Sequence, residues 1–275
     1  MIVFDAEHKV CWKPISFLDM KAGRLIFALL LASSVAVVQL AAQQTKADQK
    51  PIEEGKVKAE AGDAESQVEL GVRYAHGEGV TKDQVEAVKW YRRAAEQNFA
   101  KAQCYLGICY DQGAGVAKDQ VEAVKWYRKA AEQNFALAQN NLGVCYENGE
   151  GVAMDREEAV KWYRKAAGQN FALAQNNLGV CYSNSEGVAM DREEAVKWYR
   201  KAAEQNFAVA QYNLGGCYLR GQGVADDLVE AYKWLFLAAG QGDEDAKKLM
   251  TWLEKNLRPE QIAQGQRRAR EFKPR

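Results

Sequence analysis

Apolar and small side chains recur along most of this chain at intervals of three and four residues, interrupted by short glycine-bearing turns. In residues 134–146 (NFALAQNNLGVCY), Ala138, Leu142, Gly143 and Tyr146 share one side of a helical wheel, which predicts an amphipathic helix. In residues 155–169 (DREEAVKWYRKAAGQ), Ala159, Val160, Trp162, Tyr163, Ala166 and Ala167 do the same, with Lys161, Arg164 and Lys165 turned outward. That predicts a second helix and, between the two, a turn.

The pair is copied. Tryptophan returns at 90, 126, 162, 198 and 234, a period of 36 residues. Gly71, Gly107, Gly143, Gly179 and Gly215 keep step with it, as do Tyr74, Tyr110, Tyr146, Tyr182 and Tyr218. Such self-similarity outranks any local motif, because one helix pair cannot bury its own apolar stripe and must stack on a copy of itself. Asp83, Asp119, Asp155, Asp191 and Asp227, each with Glu three residues on, mark the start of every second helix as an N-cap box. The turns read Gly-x-Gly-Val, except that Ser185 stands in the first glycine place of the fourth unit. If that place is left-handed, serine there costs about 1 kcal/mol and the turn is the weakest of the set. At the junctions between units, Gly62, Asn98, Asn134, Asn170, Asn206 and Gly242 occupy one position, and positive φ is expected at all six.

The pattern A-x-x-x-L-G-x-x-Y-x-x-G-x-G-V followed by D-x-x-E-A-x-x-W-Y-x-x-A-A resembles the Sel-one-like repeat family, a branch of the tetratricopeptide-like superfamily. Gly71 to Tyr74 and Trp90-Tyr91 carry the match in the first unit, Trp126-Tyr127 in the second, and so on through Trp198-Tyr199; Trp234-Leu235 departs mildly. The resemblance implies an all-α, right-handed α-solenoid of stacked helix-turn-helix repeats over residues 62–256, five full units and a partial sixth. It also implies a C-terminal capping helix in 257–275 and a concave groove that holds a protein or peptide. Carried onto this chain, the groove positions are Lys101, Cys104, Leu137, Asn140, Leu173, Asn176, Val209 and Tyr212, the asparagine amides offering donor and acceptor to an extended ligand.

Composition agrees with the helical reading, since the 275 residues include only four prolines. Lys plus Arg and Asp plus Glu balance at 37 each, so no global field favours nucleic acid. The basic C-terminal stretch from Lys255 to Arg275 reads as a solvated tail. Residues 25–42 (LIFALLLASSVAVVQLAA) are apolar and uncharged, follow Lys21 and Arg24, and lead into the polar linker 43–61. That order is an export signal or, at this length, a membrane anchor. Residues 1–19 then form an N-terminal extension, with Met20 a plausible start. An exported, periplasmic or secreted protein is expected, with inner-membrane anchoring by 25–42 as the alternative and membrane contact through that segment alone.

Catalytic chemistry finds little to work with. His8 and His76 are the only histidines, and neither has a partner set for a nucleophile or a metal. Cys109, Cys145, Cys181 and Cys217 share one repeat position, where stacked helices about 8–10 Å apart exceed the reach of a disulfide. Cys104 and Cys109 face about 140° apart on one helix. No disulfide, metal or cofactor is expected, and the tryptophans read as core. The expected function is a non-enzymatic interaction scaffold. Cysteine-rich relatives raise the alternative of weak β-lactam binding or hydrolysis, and a purely structural spacer is a third reading.

Overall fold

A computed structural model describes residues 2–4, 10–12 and 53–274. The chain divides into two units, Met1–Val57 and Lys58–Arg275. In the first, strands β1 (Ile2–Phe4) and β2 (Val10–Trp12) pair antiparallel with Val3 opposite Cys11. The apolar segment 25–42, where the export signal is expected, lies outside the described residues, as does His8.

The second unit is an α-solenoid. Residues 53–60 are helical (α1) and lead into ten helices of the repeats. First helices are α2 (Ala64–His76), α4 (Ala100–Gln112), α6 (Ala136–Asn148), α8 (Ala172–Asn184) and α10 (Ala208–Arg220). Second helices are α3 (Gln84–Glu96), α5 (Gln120–Glu132), α7 (Arg156–Gly168), α9 (Arg192–Glu204) and α11 (Leu228–Gly240). Two more, α12 (Glu244–Asn256) and α13 (Pro259–Arg270), close the stack. From α2 to α12, consecutive helices pack on one another, so the core is a line of equivalent layers. Leu106, Leu142, Leu178 and Leu214 are fully enclosed in successive layers, with Ala102, Ala138, Ala174 and Ala210 beside them.

The helix boundaries sit where the capping residues stand. Asp83, Asp119, Asp155 and Asp191 each accept the backbone N–H three residues on, at 2.9–3.0 Å. The reciprocal half of the box does not form. Glu86 instead pairs with Lys89 at 2.8 Å, and the Asp83 N–H donates to the Tyr74 carbonyl at 2.8 Å. That second bond ties the start of the second helix to the end of the first, so the cap also fixes the angle of the pair. The six junction residues all have positive φ, from 63° at Asn98 to 103° at Gly62.

Ser185 is left-handed, with φ 62° and ψ 41°, and its N–H bonds Cys181 O as glycine does in the other turns. Its hydroxyl donates to the Val188 carbonyl at 3.2 Å, which offsets part of the strain. Ser185→Gly is therefore expected to stabilise the protein by about 0.5–1 kcal/mol, after the larger unfolded-state entropy of glycine is set against the relieved strain. A urea titration reads this directly, and an unchanged or lower midpoint would show that the hydroxyl bond outweighs the strain.

At the C-terminus, α13 packs on α11 rather than on α12. Arg268 bonds Glu230 at 2.7 Å and lies 3.6 Å from Asp227, and the Phe272 ring stands edge-on to Trp234 at 5.4 Å. The stretch expected to be a solvated tail is thus partly docked, because α11 presents an acidic first turn and an aromatic side that a further repeat would otherwise cover. Arg258, Arg267, Arg270 and Lys273 remain exposed.

Candidate functional site

Each first helix presents one side to its layer and leaves another partly open. On α6 the open stripe is Leu137, Asn141, Val144 and Asn148, stepping by four, three and four, the spacing that keeps side chains on one line of a helix. The same positions are open or half-buried on the neighbouring first helices, as at Lys101, Tyr105 and Ile108 on α4 and Leu173, Asn177 and Val180 on α8.

Two hollows lie along this stripe. The first, about 370 Å³, is walled by Val72, Tyr91, Tyr105 and Ile108, with His76 and Lys82 also lining it. The second, about 290 Å³, is walled by Ile108, Leu137, Asn141 and Val144, with Asp111 and Glu150 at its polar end. Ile108 and Gln112 line both, so the two hollows adjoin along the stripe.

Of the eight residues expected to line a groove, four are at least partly open to solvent on the stripe and one of these lines a hollow. Leu137 lines the second hollow, Lys101 and Leu173 are half-buried at the equivalent place, and Val209 is 46 % exposed. The other half turn away. Cys104 is 0 % exposed, Asn140 1 % and Asn176 5 %, and Tyr212 packs into the cluster formed by α11 and α12. The reason is angular. A step of three residues from Leu137 to Asn140 rotates the side chain about 60° off the line toward the next repeat, whereas a step of four to Asn141 rotates it about 40° the other way. The next repeat then covers it: Asn177 Nδ2 donates to Asn140 Oδ1 at 3.0 Å, and Asn213 Nδ2 to Asn176 Oδ1 at 2.9 Å. The asparagines expected to hold a ligand instead fasten one repeat to another. The groove residues missed are Tyr105, Ile108, Asp111, Asn141, Val144 and Glu150. The Asn-Asn doublet at 140–141 was a visible signal, but it did not say which of the two faces outward.

The thiols are buried packing groups. Burial pushes Cys104, Cys145 and Cys181 up to about 12 and Cys109 up to about 11, and raises Cys217 as well, so none is a thiolate at neutral pH. All five are free. His76 is exposed in the last turn of α2. Among the described residues, no three His, Cys, Asp or Glu side chains converge as a metal site would require. The five repeat tryptophans sit in or against the core, Trp90, Trp162 and Trp234 buried and Trp126 and Trp198 half-buried, whereas Trp252 of α12 is exposed. Lysines lie over the faces of Trp126, Trp162 and Trp198 at 3.8–4.0 Å from the ring centre, which accounts for the cations on the second helices without a ligand.

Comparison with known proteins gives the same architecture. The family model described as Sel1 repeat matches residues 64–99, 100–135, 136–171, 172–207 and 208–243, one match per helix pair. A Sel1 repeat protein from Oxalobacter formigenes has a crystal structure similar to this chain, with 40 % identity and a TM-score of 0.65 over 68 % of this chain and 75 % of that one. The crystal structure of a protective antigen present in uropathogenic Escherichia coli, displaying an SLR fold, is 32 % identical with a TM-score of 0.64 over 80 % of this chain and 56 % of that one. Among curated proteins, a secretory immunoglobulin A-binding protein of Escherichia coli is 42 % identical over 69 residues. That match takes in 25 % of this chain and only 13 % of the relative's length.

Proposed function

Because this chain belongs to the Sel1 repeat family, whose members generally mediate protein–protein interaction, we propose that it is a non-enzymatic scaffold holding a protein or peptide along the first-helix groove. The observation that carries the reading is that the two hollows adjoin, sharing Ile108 and Gln112. Apolar side chains from consecutive first helices, Val72, Ile108, Leu137 and Val144, line the two adjoining hollows with amides and charges beside them, a lining suited to an extended segment rather than to a small substrate. The raised thiols and the single exposed histidine of the repeats support a binding role over nucleophilic catalysis.

Export to the periplasm or beyond is part of the proposal. It is supported by the charge and apolar order of residues 21–50 and by two relatives, one named for binding secretory immunoglobulin A and one titled a protective antigen. Among the described residues no helix is long and apolar enough to cross a membrane.

The test replaces two partly exposed side chains of the open stripe, so the thermal midpoint is measured alongside. Leu137→Asp with Leu173→Asp is expected to lower capture of the partner from envelope extracts at least tenfold while the thermal midpoint moves by a few degrees at most. Lys161→Glu, on the outward face of α7, serves as the control and is expected to capture normally. Equal capture by the groove variant and the wild type removes the groove assignment.

A further inference from the structure

The groove changes chemistry from one repeat to the next. In the first hollow the positions nearest the ends of the first helices hold Ala75 and Ala114, with His76 and Lys82 beside them and no carboxylate in the lining. Thirty-six residues on, the same positions hold Asp111 and Glu150, and no Lys, Arg or His lines the second hollow. One repeat further they hold Glu147 and Glu186, and in the repeat after that Ser183 and Gln222. The middle of the groove therefore carries two acidic stations, with neutral or cationic stations on either side.

Taking that groove as the docking face, which is the reading above, we propose that it receives an extended basic segment of a protein partner. One Lys or Arg side chain lies in the second hollow between Asp111 and Glu150. A second, three residues along the partner, lies at Glu147 and Glu186.

Several features of the hollow fit that occupant. Ile108, Leu137 and Val144 form an apolar wall along which the methylene stem of a lysine or arginine packs, while its head reaches the carboxylates. Asp111 lies in the last turn of α4 and Glu150 directly beyond the end of α6, so both helices direct the negative end of their dipole at the same spot. The field is felt by the neighbours: Asp111 and Glu150 both push the Cys145 thiol up, after burial itself, and Glu147 and Glu186 do the same at Cys181. Glu147 is held in place by the Tyr163 hydroxyl, which donates to its Oε2 at 2.8 Å, and Glu186 accepts from Asn184 Nδ2 at 3.1 Å. The half-buried amide of Asn141 stands beside the apolar wall and can bond the partner's backbone.

The spacing follows from geometry. Neighbouring helices of a stack lie about 10 Å apart. A polyproline-type chain turns once in three residues and rises about 3.1 Å per residue, so side chains i and i+3 point the same way about 9 Å apart. A basic residue at every third position matches the stations, whereas adjacent basic residues do not.

The experiment uses the purified full chain and fluorescein-labelled proline-rich peptides read by fluorescence anisotropy. One peptide carries arginines at i and i+3, a second carries them at i and i+1, and two more replace both arginines of the first by glutamine or by glutamate. The i, i+3 peptide is expected to bind saturably and at least tenfold more tightly than the glutamate peptide, more tightly than the i, i+1 peptide, and less tightly as salt is raised. Asp111→Asn with Glu150→Gln is expected to reduce its affinity about tenfold with an unchanged melting midpoint, while Glu96→Gln with Glu132→Gln, on the second helices, leaves it intact. Binding of the glutamine or glutamate peptide at equal strength overturns the proposal, as does full affinity in the Asp111/Glu150 variant, or no binding by any peptide. If a neutral peptide binds and Leu137→Asp with Leu173→Asp abolishes that binding, the groove reading survives and only the basic partner falls. If capture by that leucine variant is undiminished, the groove reading itself falls.

Discussion

Replacing Gly151 by alanine is expected to cost about 4 kcal/mol, far more than the same change two residues earlier in the turn. Both glycines have positive φ, 74° at Gly149 and 68° at Gly151, so backbone strain alone does not separate them. Their surroundings do. A Cβ at Gly149 meets nothing nearer than Met154 Cβ at 3.3 Å, so the turn need shift by only a few tenths of an ångström. A Cβ at Gly151 would overlap the Gln120 carbonyl at the start of α5, in the preceding repeat, and would stand 2.8 Å from the Val121 nitrogen. Neither of those backbone atoms can move without unseating a helix. The turn of one repeat is thus pressed directly onto the backbone of another, and the second glycine is there for close approach as much as for its φ. The expected result is a urea midpoint lowered by the equivalent of about 4 kcal/mol for Gly151→Ala against about 1 kcal/mol for Gly149→Ala. Similar losses at the two positions would contradict the account. The natural chain has already made one half of the comparison, since its one departure from glycine, Ser185, falls at the first position, while Gly187 keeps the second.

Gln139→Ala is the second large effect, expected to cost about 3 kcal/mol. This glutamine is 2 % exposed and joins three parts of the chain. Its Nε2 donates to the Ala131 carbonyl at 3.1 Å and to Asn134 Oδ1 at 3.1 Å, both in the preceding repeat. Its Oε1 accepts from Gln169 Nε2 at 2.7 Å, and Gln169 donates to Asn134 Oδ1 as well, at 3.1 Å. Truncation removes three hydrogen bonds at a closed junction, those to Ala131 O, Asn134 Oδ1 and Gln169 Nε2, each worth about 0.5–1.5 kcal/mol, although Ala131 O keeps a backbone donor and Gln169 keeps Asn134. The same amide set recurs at Gln103 with Gln133, Gln175 with Gln205, and Gln211 with Gln241, so the stack is held by polar staples between layers of apolar ones.

Gln139→Glu sharpens the test, because it keeps the shape and changes only the donor. An ionised carboxylate there cannot donate to Ala131, and burial raises its folded pKa above the unfolded value of about 4.3. Stability is then greatest below that unfolded value and falls as pH rises through the folded pKa, opposite to the usual carboxylate. A Gln139→Glu protein whose stability relative to wild type is flat between pH 4 and pH 8 would show that water enters the junction and satisfies the groups.

The period, both helices of each repeat, the aspartate caps and the six left-handed junctions could be read from the chain because each is a local matter. An aspartate caps the N–H three residues away, and Asn134 or Gly62 takes positive φ whatever lies beyond it. The Glu of the expected capping box was misread, since Glu86 has a choice between the backbone behind it and Lys89 ahead of it, and the Tyr74 carbonyl had already taken the N–H. Less of the candidate site was legible. Leu137 was found on the groove, whereas Asn140 and Asn176 were placed there and prove to be inter-repeat bonds.

Within any stretch of about ten residues, the order of side chains dictated the backbone, because the partners in question were one or two turns away along the same chain. Which flank of each helix meets the next copy is a different kind of fact. Asn140 and Asn141 are adjacent, identical in chemistry and equally helical; one is sealed and the other open because the neighbouring repeat lies on one flank and not the other. That arrangement comes from atoms 36 residues away. Only the stacked structure therefore could decide which amides are staples, which glycine must stay bare, and that Asp111 and Glu150, from successive repeats, line one hollow.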